Sequence, residues 1–161
     1  MPIIKTDVLD DSYFWVQWSQ NSQNIEDNST IINWSCGFHP GHKYYLNAIK
    51  MSSVVINGVE VYSGGTYSNI TDYQDRTFAS APLKIAHTPD GSKSFTISGF
   101  SGWIYDSGTT YASSQTFTLP TIPRASSVSC STADIGSNAT ITINRASSSF
   151  THTLSSSFGS L

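Results

Sequence analysis

Hydrophobic and polar positions alternate with a period of two through most of this chain, the pattern of strands that bury one face. In SYFWVQWSQ (12–20), Phe14, Val16 and Trp18 share one face and Tyr13 and Trp15 the other. QNSQNIEDNS (20–29) is polar and rich in Asn, so it predicts a loop. TIINWSCGF (30–38) then alternates again, with Ile32, Trp34, Cys36 and Phe38 on one face, and HPGHK (39–43) predicts a turn. By this pattern Trp18 and Trp34 are core residues.

A long β-leaning segment runs from Tyr44 to Ile56. Asn57-Gly58 follows as the pair of a type I′ hairpin, and VEVYS (59–63) returns. GGTYSNITDYQD (64–75) predicts a long loop with room for one short strand, and RTFAS (76–80) and PLKIAH (82–87) predict two short strands. TPDG (88–91) is a tight turn in which Asp90 is placed to accept backbone N–H groups, with His87 positioned to bond across the hairpin. KSFTISGFSGWIYD (93–106) predicts a long strand whose Gly99 and Gly102 mark a bulge or a close backbone approach. TTYASSQTFTL (109–119) is the next strand. About eight short strands at this spacing, with no credible helix, predict an all-β antiparallel sandwich, either jelly-roll or immunoglobulin-like.

Pro120 and Pro123 remove two backbone donors and hold their neighbours extended, which makes residues 120–126 a stiff, non-pairing connector. SVSCST, NATITINRAS and FTHTLSSS predict three further strands. Three strands are too few to close a sandwich. The expected organisation is therefore a β-sandwich domain at 1–119, a Pro-containing linker at 120–126, and the start of a second, immunoglobulin-like domain at 127–161 that continues in a longer protein.

Composition sharpens this reading. Charged residues make up 12%, about half the usual share. Ser and Thr, about 46 residues together, carry the polar surface instead. A net charge of −3 with scattered Lys and Arg excludes the basic footprint of a nucleic-acid binder. No apolar run reaches the length of a membrane span. The N-terminus has no basic start followed by an apolar stretch, so a protein made in the cytoplasm is expected. Cys36 and Cys130 are too few and too far apart for a disulfide framework, and two partly buried free thiols are expected. The four N-x-S/T triplets, at Asn28, Asn33, Asn69 and Asn138, are chance matches in so Ser/Thr-rich a chain.

IAHTPDGSKSFTISG (85–99), then FTL, then TIPRAS (121–126) resemble, in that order, tail-associated minor structural proteins of siphophages that infect Gram-positive bacteria. The resemblance also takes in SNATITINRASSSFTHTLSSSFGSL (137–161). It implies a virion tail or baseplate component, non-catalytic, made in the host cytoplasm. The implied partners are other tail proteins, copies of itself, and a host cell-wall or surface polysaccharide. A purely structural connector, or an accessory domain of a wall hydrolase, are the alternatives.

Sugar-binding surfaces pair aromatic rings, which stack on pyranose faces, with Asn, Asp and Gln that bond hydroxyls. Trp103 and Tyr105, with Tyr111, flank the turn at 106–109, and Tyr67, Asn69, Asp72 and Tyr73 lie in the 62–75 region. These give a candidate glycan site of Tyr67, Tyr73, Trp103, Tyr105, Asn69 and Asp72, against the alternative that such rings pack in the core or at its rim. His39 and His42 form an H-x-x-H spacing on a turn without a third ligand, and Asp7, Asp10 and Asp11 lack the Gly and Glu of a calcium loop. No metal and no cofactor is therefore expected. Glu26, Glu60 and scattered Asp offer no facing carboxylate pair, and no nucleophile elbow or Cys/His pair occurs, so catalysis is not expected.

Overall fold

The computed structural model describes residues 1–41, 46–70, 73–124, 127–131, 136 and 138–144. Its elements are all strands: β1 (Ile3–Lys5), β2 (Tyr13–Asn24), β3 (Ser29–His39), β4 (Leu46–Met51), β5 (Val54–Ile56), β6 (Val59–Tyr62), β7 (Gly65–Ile70), β8 (Arg76–Ala86), β9 (Lys93–Ile97), β10 (Phe100–Ile104), β11 (Gly108–Ala112), β12 (Gln115–Leu119), β13 (Ser127–Cys130) and β14 (Ile141–Asn144).

One sheet has the order β1-β2-β3-β8. The other face is built from four chain passes, each interrupted once: at residues 52–53, 63–64, 98–99 and 113–114. The upper halves pair in the order β11-β10-β4-β7 and the lower halves in the order β12-β9-β5-β6. The two halves thus form one sheet folded along a crease. Small hydroxyl side chains replace ladder partners there. Ser101 N–H donates to Ser52 Oγ at 2.9 Å, and Gly99 N–H donates to Ser114 Oγ at 2.8 Å. Ser98 N–H still reaches Val55 O, at 3.0 Å.

Counting each interrupted pass once, the first, second and fifth long strands face the seventh, sixth, third and fourth. That is the Greek-key order of an immunoglobulin-like sandwich with its extra strand on the second sheet, and not a jelly roll. Trp18 closes the gap between the layers, edge-on to Phe95 and Phe117 with centroids 4.9 and 5.4 Å away. Trp18, Trp34, Phe14, Phe38, Phe95 and the buried isoleucines of the strands form one cluster.

Several local expectations change. Strand β2 runs on to Asn24, where a polar loop was expected from residue 20, because its exposed far end keeps pairing with β3 past a bulge at Gln20–Ser22. Arg76–Ala86 form one strand where two were expected over 76–80 and 82–87. Pro82 faces the free edge of β8, where no N–H is required. The single strands expected at 44–56, 93–106 and 109–119 are each divided by the crease. Asn57 and Gly58 take φ of 52° and 78°, the hairpin pair expected. Of the three strands expected after the prolines, β13 and β14 pair antiparallel, and FTHTLSSS lies outside the described residues. Both cysteines are free, Cys36 buried and Cys130 exposed.

Residues 120–124 lie against the sandwich. Gln23 Nε2 donates to Pro120 O at 2.7 Å, Ile122 N–H donates to Gly91 O at 2.9 Å, and Arg124 donates to Ile25 O at 2.8 Å. Ile122 itself is fully buried. Gly91, at φ 84°, is required there: a Cβ would stand 2.0 Å from Ile122 O. The preceding turn is tied down in turn. His87 bonds Thr30 Oγ1 at 2.8 Å through one ring nitrogen and Gly91 O at 2.7 Å through the other. Asp90 accepts from Thr88, from Ser92 Oγ and from Ser92 N–H.

Candidate functional site

Three stretches leave the strands at the end of the sandwich remote from Ile122: residues 40–41 after β3, 73–75 before β8, and 105–107 between β10 and β11. Of the sequence-derived candidates, Tyr67, Tyr73, Trp103 and Tyr105 lie towards this end, on different surfaces. Trp103 and Tyr105 stand two apart on β10 and its extension, so both point away from the core. Their rings meet edge-to-face with centroids 5.9 Å apart. Both remain open to solvent, Trp103 at 37% and Tyr105 at 42% of full exposure. Tyr111, at 64%, lies on neighbouring β11 opposite Ser101, diagonal to Trp103 on the same face.

The alternation that exposes these rings buries their neighbours. Ile104 and Gly102 point inward, and Gly102 exists because Phe14 fills the space a side chain would need: a Cβ there would lie 1.9 Å from the ring. The turn that carries Tyr105 is sharp, with Asp106 and Gly108 both at positive φ, and Ser107 N–H closes it on Ile104 O at 3.1 Å.

Tyr67 belongs to a different arrangement. It lies in the inward-facing row with Ile49 and Ile104. Its ring stacks on Phe78 at 3.9 Å and 9°, and its hydroxyl bonds that of Tyr62 at 3.1 Å. One face of the ring is thereby occupied by the protein's own core rim. Tyr67 and Phe78, with Ser68, Ile70, Arg76 and Thr77, line a groove of about 230 Å³ between the two sheet edges. Asn69 lies in β7, and Asp72 falls outside the described residues.

Tyr73 is exposed and borders a shallow hollow with Asp11, His39, Pro40 and Gly41. His39 is held there by two contacts the sequence did not suggest. Its ring stacks on Tyr13 at 4.6 Å, and its Nδ1 lies 2.6 Å from Asp75 Oδ1. His42 lies outside the described residues. Among the described residues no group of three His, Cys, Asp or Glu could hold a metal ion.

The grouping that results is an aromatic field of Trp103, Tyr105 and Tyr111 on the outer face of the second sheet, with Lys50 beside Trp103 in register. Lys50 could not be singled out in the sequence, because its neighbour across the sheet follows only from the strand pairing. No curated protein and no solved structure matches the chain. The family described as Siphovirus protein of unknown function (DUF859) matches residues 13–161, which take in both the sandwich and β13–β14, and the chain belongs to that siphovirus family.

Proposed function

We propose that this siphovirus protein is a non-catalytic structural component of the virion tail or baseplate that contributes to recognition of host cell-surface glycan. The observation that carries the reading is the exposed aromatic group Trp103, Tyr105 and Tyr111 on a rigid sheet. Such rings bury the apolar faces of sugars while surrounding hydroxyls hydrogen-bond, and Thr66, Ser68 and Thr109 supply hydroxyls on exposed positions of the same sheet half. A flat, open platform gives weak single-site binding, so useful affinity comes from several copies displayed together. The resemblance to tail-associated proteins and the membership of a siphovirus family agree with that display.

The test is retention of the bead-displayed full chain on host cell walls. Wild type is retained, and replacing Trp103 and Tyr105 together by Ala weakens retention by about tenfold or more with no change in melting temperature. Absence of wild-type retention would sink the glycan reading. A structural connector between tail components is the second reading, favoured by the anchored exit at Pro120, Ile122 and Arg124. It predicts binding to another tail protein that the double replacement leaves intact.

A further inference from the structure

Resting on the glycan reading, we infer that the aromatic field binds an anionic polysaccharide, with Lys50 taking its negative group and the crease seating a substituent of the chain. The outer face of the second sheet has two different halves. Below the crease, hydroxyls already bond one another across the strands, Ser94 to Thr118 at 3.1 Å and Thr96 to Thr116 at 3.0 Å. Their hydrogen-bonding capacity is partly spent within the protein. Above the crease the outward strand positions are Ala48, Lys50, Thr66, Ser68, Ser101, Trp103, Thr109 and Tyr111, followed by Tyr105.

Lys50 is the one charged side chain in that row. It is exposed, directly opposite Trp103 across the β4–β10 pair, and it pairs with no carboxylate among the described residues. Its register neighbours are one ring, Trp103, and one hydroxyl, Thr66, so a cation stands beside an exposed aromatic on a protein whose net charge is −3. A neutral sugar would leave that charge without use. A carboxylate or phosphate carried beside a stacked ring would meet the ammonium at short range, partly shielded from water by the aromatic side chains.

The crease adds shape. Ser52, Gly99, Phe100, Ser101, Tyr111 and Ala112 line a hollow of about 230 Å³ beside Tyr111. It is smaller than the roughly 300–1,000 Å³ of pockets that enclose a whole ligand. It therefore suits a protruding group of an extended polymer that runs over the rings.

The experiment uses the full chain on host cell-wall polysaccharide in three forms: intact, dephosphorylated with cold hydrofluoric acid, and carboxyl-reduced with carbodiimide and borohydride. The intact polymer is bound, Lys50→Gln weakens that binding about tenfold, and the wild-type affinity falls with added salt while the variant's does not. One of the two chemical treatments reduces wild-type binding to the Lys50→Gln level, and which one does so identifies phosphate or carboxylate as the anion. Equal binding of all three forms by wild type and Lys50→Gln overturns the anionic ligand and leaves the glycan reading standing. Binding of none of them by either protein overturns both. Trp103→Ala weakens binding to every form, which separates loss of stacking from loss of charge.

Discussion

Gly102 carries no side chain, and the ring of Phe14 occupies the volume that one would take. Both residues are fully enclosed, so neither can yield cheaply. Gly102→Ala is expected to lower stability by about 1–3 kcal/mol through overpacking, read as a lower urea midpoint with an unchanged slope. Asp90 works differently. Hydrogen bonds from the Thr88 hydroxyl first, and then from Ser92, hold its carboxyl down from 3.8 to about 2. A depressed folded pKa means that the stabilisation is present above about 4 and is lost as pH falls towards 2. Asp90→Asn should therefore melt lower than wild type at pH 7, and the two should converge in acid melts as pH falls through 2. Asp90's role was legible because Thr-Pro-Asp-Gly is a local instruction. The reason for Gly102 was not, since Phe14 is far away in sequence and reaches it only across the sandwich.

Among the elements, the connector at 120–124 behaves as part of the fold. It joins the two sequence motifs that carried the resemblance: the turn at 87–91 and the TIPR segment touch through Ile122 and Gly91. Removing the buried side chain with Ile122→Ala should cost about 2–5 kcal/mol, and thermal melts of the full chain check it. A free linker would show no change. The sequence allowed the extended geometry to be read from the two prolines, but not the docking, because one isoleucine among polar residues has no periodicity to betray it. The creased sheet was half legible in the same way. Gly99 and Gly102 flagged an irregularity in one strand, yet only the pairing shows that Ser52, Ser98 and Ser114 fall on one line with it. Tyr67 illustrates the limit for the site: a tyrosine in a polar stretch looks exposed until its strand parity is known.

For the whole molecule, two thiols report on two regions. Burial raises Cys36 to about 12, whereas Cys130 is exposed on β13. Iodoacetamide at pH 8 should label one cysteine in the native protein and two in denaturant, by mass spectrometry. Two native labels would show that the core around Trp18 and Phe38 opens on the labelling timescale. The sandwich class was readable from alternation alone, but the choice between jelly roll and immunoglobulin-like order needed the long-range pairing of β3 with β8. The anchored exit also has a mechanical meaning. A pull on the chain from the C-terminal side is delivered first to the grip of Arg124 on Ile25, of Ile122 on Gly91 and of Gln23 on Pro120. Those contacts lie at the end of β2, just after it, and on the turn between β8 and β9, so tension is shared with the first sheet before β12 can be peeled from β9. A pull from that side is thus resisted by the anchored exit, far from the aromatic face at the other end of the sandwich.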